Sequence, residues 1–157
     1  RKGPTMPEIR GPQLHKNSPS ARFVVLDHPA DLGIEARGET LPEAFENAAS
    51  GLMAVILDPE NIVARESRQV SLNAADQEQL LVRWLSEILY LYDGEGFVSG
   101  EFSVSELGGN SLKATLRGEM YSPGVHTSRR DVKAVTYHQL LVEGGPSGSR
   151  VRFFLDV

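Results

Sequence analysis

Cysteine is absent from the 157 residues, and with it go disulfide staples, thiolate zinc sites and cysteine nucleophiles. Long apolar runs are missing as well. The two most hydrophobic stretches, GLMAVIL and LLVRWLSEILYLY, fall short of the ~20 residues of a membrane span, and the second carries Arg83 and Glu87. A soluble protein with no membrane partner is expected, and the lack of a charged, apolar, small-residue signal at the start makes the cytoplasm its expected address. Basic residues are outnumbered, 16 Lys and Arg against 21 Asp and Glu. The imbalance sharpens along the chain: Arg1, Lys2, Arg10 and Lys16 against Glu8 give residues 1–20 a net charge of +3, which leaves −8 for residues 21–157. A phosphate backbone is held tightly by dense Lys and Arg, so direct nucleic-acid binding is not expected as the main activity.

The common catalytic signatures are missing too. GGPSGS lacks the G-x-S-x-G elbow and reads as a flexible hairpin, and neither dinucleotide nor P-loop glycine patterns occur. His15, His28, His126 and His138 are too dispersed for an H-E-x-x-H motif, so a zinc triad would rest on folding alone. His138, on a predicted strand, is expected to be a hydrogen-bonded, half-buried side chain.

What remains is a strand-rich chain with two helices. Residues 1–20, rich in Pro, Gly, Ser and charge, read as a disordered leader, and residues 21–157 as one domain. ARFVVLD and GIEARG are predicted strands. The helix over 40–57 opens on a capping box of Thr40 and Glu43, with Leu41, Phe45, Ala48 and Leu52 at helical spacing. A strand at Arg68–Asn73 precedes a second helix capped by Asp76 and Gln79, which carries Trp84 and Leu85 on its core face and stops at DGEG. Four further strands pair around GGN and GGPSG. The expected class is α+β: a mostly antiparallel or mixed β-sheet with two buried amphipathic helices.

Carboxylates are the best candidates for chemistry. FVVLDHPADLG places Asp27 and Asp31 about a short loop, and hard divalent cations take such oxygen ligands. The last residues, FFLDV, put Asp156 beside the main-chain end at Val157. If the first and last strands pair, Asp31, Asp156 and the Val157 carboxylate gather three anionic groups, which repel unless a cation joins them or their pKa values rise. The alternative is that Asp31 closes an Asx turn and Asp156 is a solvated charge.

Four blocks in order, HPADLGIEARGETLPEAFENAASGLM, LLVRWLSEILYLYDGEGFV, LRGEMYSPGVHTSRRDVKAVTYHQLLV and VRFFLDV, resemble the archease family from about Phe23 to Val157. The resemblance implies a non-enzymatic protein cofactor that activates an RtcB-type, GTP-dependent tRNA-splicing RNA ligase, promoting its guanylylation and multiple turnover, and meeting RNA only through the ligase. It also implies a divalent cation (Ca, Mg or Mn) held by Asp31, Asp156 and Val157. His28, Lys133 and His138 fall in matching blocks and are expected to support that site or contact the partner. Two departures stand out: Pro29 replaces a Thr, and GEMYSPGVH lacks an acidic residue after its GE pair, so no second metal ligand is expected beside Glu119. The competing expectations are a stand-alone metal-dependent hydrolase built from Asp31, Asp156 and His28 or His138, and a general chaperone-like interaction module.

Overall fold

The computed structural model describes residues 22–27 and 31–157. The expected leader, 1–20, and His28 lie outside the described residues. Among the described residues, seven strands and two α-helices follow the order β1 (Phe23–Asp27), β2 (Asp31–Gly38), α1 (Leu41–Ile56), β3 (Glu66–Asn73), α2 (Gln77–Glu95), β4 (Phe97–Leu107), β5 (Ser111–Met120), β6 (Ala134–Gly145) and β7 (Gly148–Asp156). They build an α+β domain with two sheets, ordered β1-β2-β7-β6 and β3-β5-β4. Every strand pairing is antiparallel.

The helices form the middle layer. α1 packs on β1, β2 and β7 of one sheet and on β4 of the other, while α2 meets β6 on one side and β3 and β4 on the other. A helix covered on two sides needs more than one apolar stripe. Accordingly α2 buries Leu80, Leu81, Val82, Trp84, Leu85, Ile88, Leu89 and Leu91. Trp84 is fully buried, and its Nε1–H donates to the Phe45 carbonyl of α1 at 2.9 Å. That bond ties the two helices together and satisfies the indole donor inside the core.

Both predicted caps form. Thr40 accepts from the Glu43 N–H at 3.3 Å and Asp76 from the Gln79 N–H at 2.8 Å. In α1 the Glu43 carboxylate reaches back one residue beyond the cap, to the Glu39 N–H. The end of α2 falls within DGEG, as expected. The helix runs through Asp93 and Gly94 and closes at Gly96, whose φ of 74° lets its N–H bond back to the Leu91 and Tyr92 carbonyls. Of the two glycines in DGEG, the second is the one in the left-handed conformation that ends a helix.

Candidate functional site

Alternation along β2 and β7 decides what each sheet face carries. Leu32, Ile34 and Ala36 on β2, and Val151, Phe153 and Leu155 on β7, are buried in the core. Asp31 and Asp156 therefore project from the opposite, outer face. The two are direct partners in the β2–β7 register. Asp31 is the first residue of β2 rather than part of the preceding loop, and Asp156 is the last of β7. Side chains so opposed stand about 5 Å apart at Cβ, where like charges destabilise the pairing.

β7 is an interior strand, so Asp156 is held from both sides. Across from β2, it pairs with Ala134 of β6, and its carbonyl accepts from the Lys133 N–H at 2.8 Å. Lys133 thus reaches the site through its main chain. Val157 is half-buried, with its side chain packed on the core. Its anchoring fixes the main-chain oxygens that follow Asp156.

His138 is exposed rather than half-buried. Between Thr136 and Leu141 the β6–β7 register slips, and four residues of β6 face one of β7. Within that bulge Gln139 has φ 51°, a conformation uncommon outside glycine. The bulge turns His138 outward, with its N–H on Thr136 Oγ1 at 3.2 Å and its ring edge-on to Phe154, centroids 5.8 Å apart. His138 is therefore near the carboxylate pair through Phe154, two residues before Asp156.

Chemically, an all-oxygen set of two carboxylates and main-chain oxygen suits a hard divalent cation. Among the described residues no three His, Asp or Glu side chains converge as a metal centre. The donors at Asp31 and Asp156 can hold such an ion only with further oxygens from the main chain, water or a partner.

A second polar cluster has a different character. Glu119 Oε2 accepts from the Val63 N–H at 3.0 Å and lies 2.9 Å from His126 Nε2, while Oε1 accepts from Arg65 Nε at 2.9 Å. The Ser122 N–H donates to His126 Nδ1 at 2.9 Å, so the ring proton sits on Nε2 and is donated to Glu119. The Val63 and His126 hydrogen bonds, joined by Arg65, pull the Glu119 carboxyl down to about 2 from its ordinary 4.5. Every oxygen is engaged, which makes this a structural knot joining β5, the 62–65 segment and the loop after β5. The sequence offered no signal for it, since the partners lie 7 and 54 residues from Glu119.

A profile of the Archease protein family (MTH1598/TM1083) matches residues 23–157. The chain belongs to this family. An archease of Methanosarcina mazei is 40% identical over 144 residues, spanning 89% of this chain and 99% of the relative. One from Sulfolobus acidocaldarius is 37% identical over 137 residues, with shares of 87% and 99%. The solution structure of Methanobacterium thermoautotrophicum protein 1598 superposes with a TM-score of 0.74 at 33% identity, covering 87% of this chain and 99% of that one. A Thermotoga maritima archease, described as a possible chaperone, shares the fold with a TM-score of 0.55 at 21% identity, over 84% and 94% of the two chains. The archease match begins at Phe23, the first residue of β1, so it covers both strands that bring Asp31 and Asp156 together. Among the described residues, no helix is long and apolar enough to cross a membrane.

Proposed function

We propose that the chain is a metal-binding protein cofactor that activates a GTP-dependent RNA ligase of the RtcB type in tRNA splicing or RNA repair. In this reading Asp31, Asp156 and main-chain oxygen at Val157 hold a divalent cation, Ca, Mg or Mn. The outer end of the four-stranded sheet presents that cation to the ligase, where it favours guanylate formation and repeated turnover. Lys133 fixes Asp156 through its main chain, and His138 flanks the presented surface. The chain performs no catalysis of its own.

The observation that carries this reading is the in-register opposition of Asp31 and Asp156 in a chain of the archease family. Two carboxylates opposed across a sheet, with a third strand locking one of them, favour a bound cation over two solvated charges. A protein partner is also in keeping with the description of the Thermotoga maritima relative as a possible chaperone. The decisive test is guanylylation of an RtcB-type ligase with limiting GTP and divalent cation. Stimulation by the wild type, abolished in Asp31→Ala and Asp156→Ala, is the expected result. Full stimulation by either variant refutes the assignment.

A further inference from the structure

The outer face of the four-stranded sheet mixes charged Glu35, Arg150, Arg152 and Asp156 with apolar Val24, Leu26, Leu141 and Phe154. Phe154 projects on that face between half-buried Arg152 and exposed Asp156, yet is only 2% exposed. It is paired across the sheet with Gly33, which is paired in turn with Leu26 of β1. The ring lies over the space that a side chain at position 33 would fill. A Cβ there would meet Phe154 Cε2 at 2.7 Å, Cζ at 3.0 Å and Leu26 Cβ at 3.2 Å. The edge-on ring of His138 closes the far side. Gly33 and Phe154 each lie two residues from a carboxylate, Gly33 after Asp31 and Phe154 before Asp156.

We infer that Gly33 and Phe154 are positioning residues for the Asp31–Asp156 pair: the ring seated on the glycine sets how closely β2 and β7 approach at the carboxylate end. This rests on the metal-binding reading above and supplies the reason for a glycine in HPADLG. The φ at Gly33 is ordinary, so the demand is for space alone. Opposed carboxylates push the strand ends apart. A packed aromatic two residues along the ladder, on the same face, resists that push, much as residues behind metal ligands orient the ligands themselves. Oxygen spacing in turn decides which hard cation fits, because Mg²⁺ requires a tighter geometry than Ca²⁺.

The test is calorimetric titration of the purified, metal-stripped chain with Ca²⁺ and with Mg²⁺, alongside thermal unfolding. Gly33→Ala forces the ring off its seat and Phe154→Leu removes it. Each is expected to weaken Ca²⁺ binding by roughly 10- to 100-fold, the range typical of residues that support metal ligands, and to change the Ca²⁺/Mg²⁺ preference. A fold-stabilising role alone would leave that preference unmoved. The double variant, in which a methyl and a smaller side chain share the space, is expected to bind more tightly than Gly33→Ala. If Gly33→Ala does not fold, Phe154→Leu decides by itself. A folded single variant with wild-type affinity and preference overturns the inference, as do losses that simply add in the double variant. A wild type that binds neither ion overturns the metal reading first and the positioning role with it.

Discussion

At the scale of single residues, two carboxylate environments make opposite demands. Glu119 is surrounded by donors, and its folded pKa, about 2, lies below its ordinary 4.5. Folding therefore favours the ionised form. That contribution is complete above about pH 4.5 and is lost as the pH falls toward about 2. The midpoint temperature of the wild type should fall through this window, and Glu119→Gln, less stable at neutral pH, should show a shallower fall. Parallel profiles would remove Glu119 from the acid response. Asp31 and Asp156 face each other, and among the described residues no side-chain donor bonds to either carboxylate. In the absence of metal, Asp31→Asn should match or exceed the wild type in thermal stability, by up to about 1 kcal/mol, the scale of a directly opposed like-charge pair. A clear loss of metal-free stability would mean that Asp31 has a structural partner of its own.

At the scale of elements, the middle-layer helices and the tight β4–β5 pairing are the places where substitution should tell most. Replacing Trp84 by Phe removes the donor to the Phe45 carbonyl and opens space between the helices, at a cost of about 2 kcal/mol measured by denaturant unfolding. Gly118→Ala should be worse. A Cβ at this position would overlap the Val98 carbonyl oxygen, inside the neighbouring strand's backbone, so a loss of at least about 3 kcal/mol or failure to fold is expected. Wild-type stability in Gly118→Ala would contradict the strand spacing. Most of this architecture was legible in the sequence, because period, caps and turn residues are local signals: Thr40, Asp76 and the GGN hairpin all appear where they are predicted. The β6 bulge was not, since AVTYHQLLV alternates well enough to pass for a regular strand, and only the register against β7 exposes the extra residues. The same holds for the Glu119 knot, whose partners come from far along the chain. The candidate metal site was half legible. Charge and the family resemblance pointed to Asp31, Asp156 and Val157, while the ring seated on Gly33 emerges only when the two strands are laid side by side.

At the scale of the whole molecule, a cation held between β2 and β7 would bind the folded chain and not the unfolded one. Saturation at 100 times the dissociation constant would then stabilise folding by about 2.7 kcal/mol. Added Ca²⁺ should raise the unfolding temperature of the wild type, a chelator should reverse the rise, and the double variant Asp31→Ala with Asp156→Ala should show neither effect. An identical calcium response in that variant would place the ion elsewhere.

The strand order β1-β2-β7-β6 has one more consequence, for the chain as it is made. β7 follows both of its sheet neighbours, β2 and β6, in the chain yet lies between them, so a nascent polypeptide that has emerged only through β6 has a slot where β7 belongs. Both flanking strands then show unpaired edges, and Ile34, Ala36 and Val135, buried in the finished domain, lack their neighbour. Such a half-made sheet is open to pairing with another chain. Prematurely terminated products ending near Gly145 should therefore collect in aggregates or with holdase chaperones, and a synthetic β7 peptide supplied in trans should bring part of them back into solution.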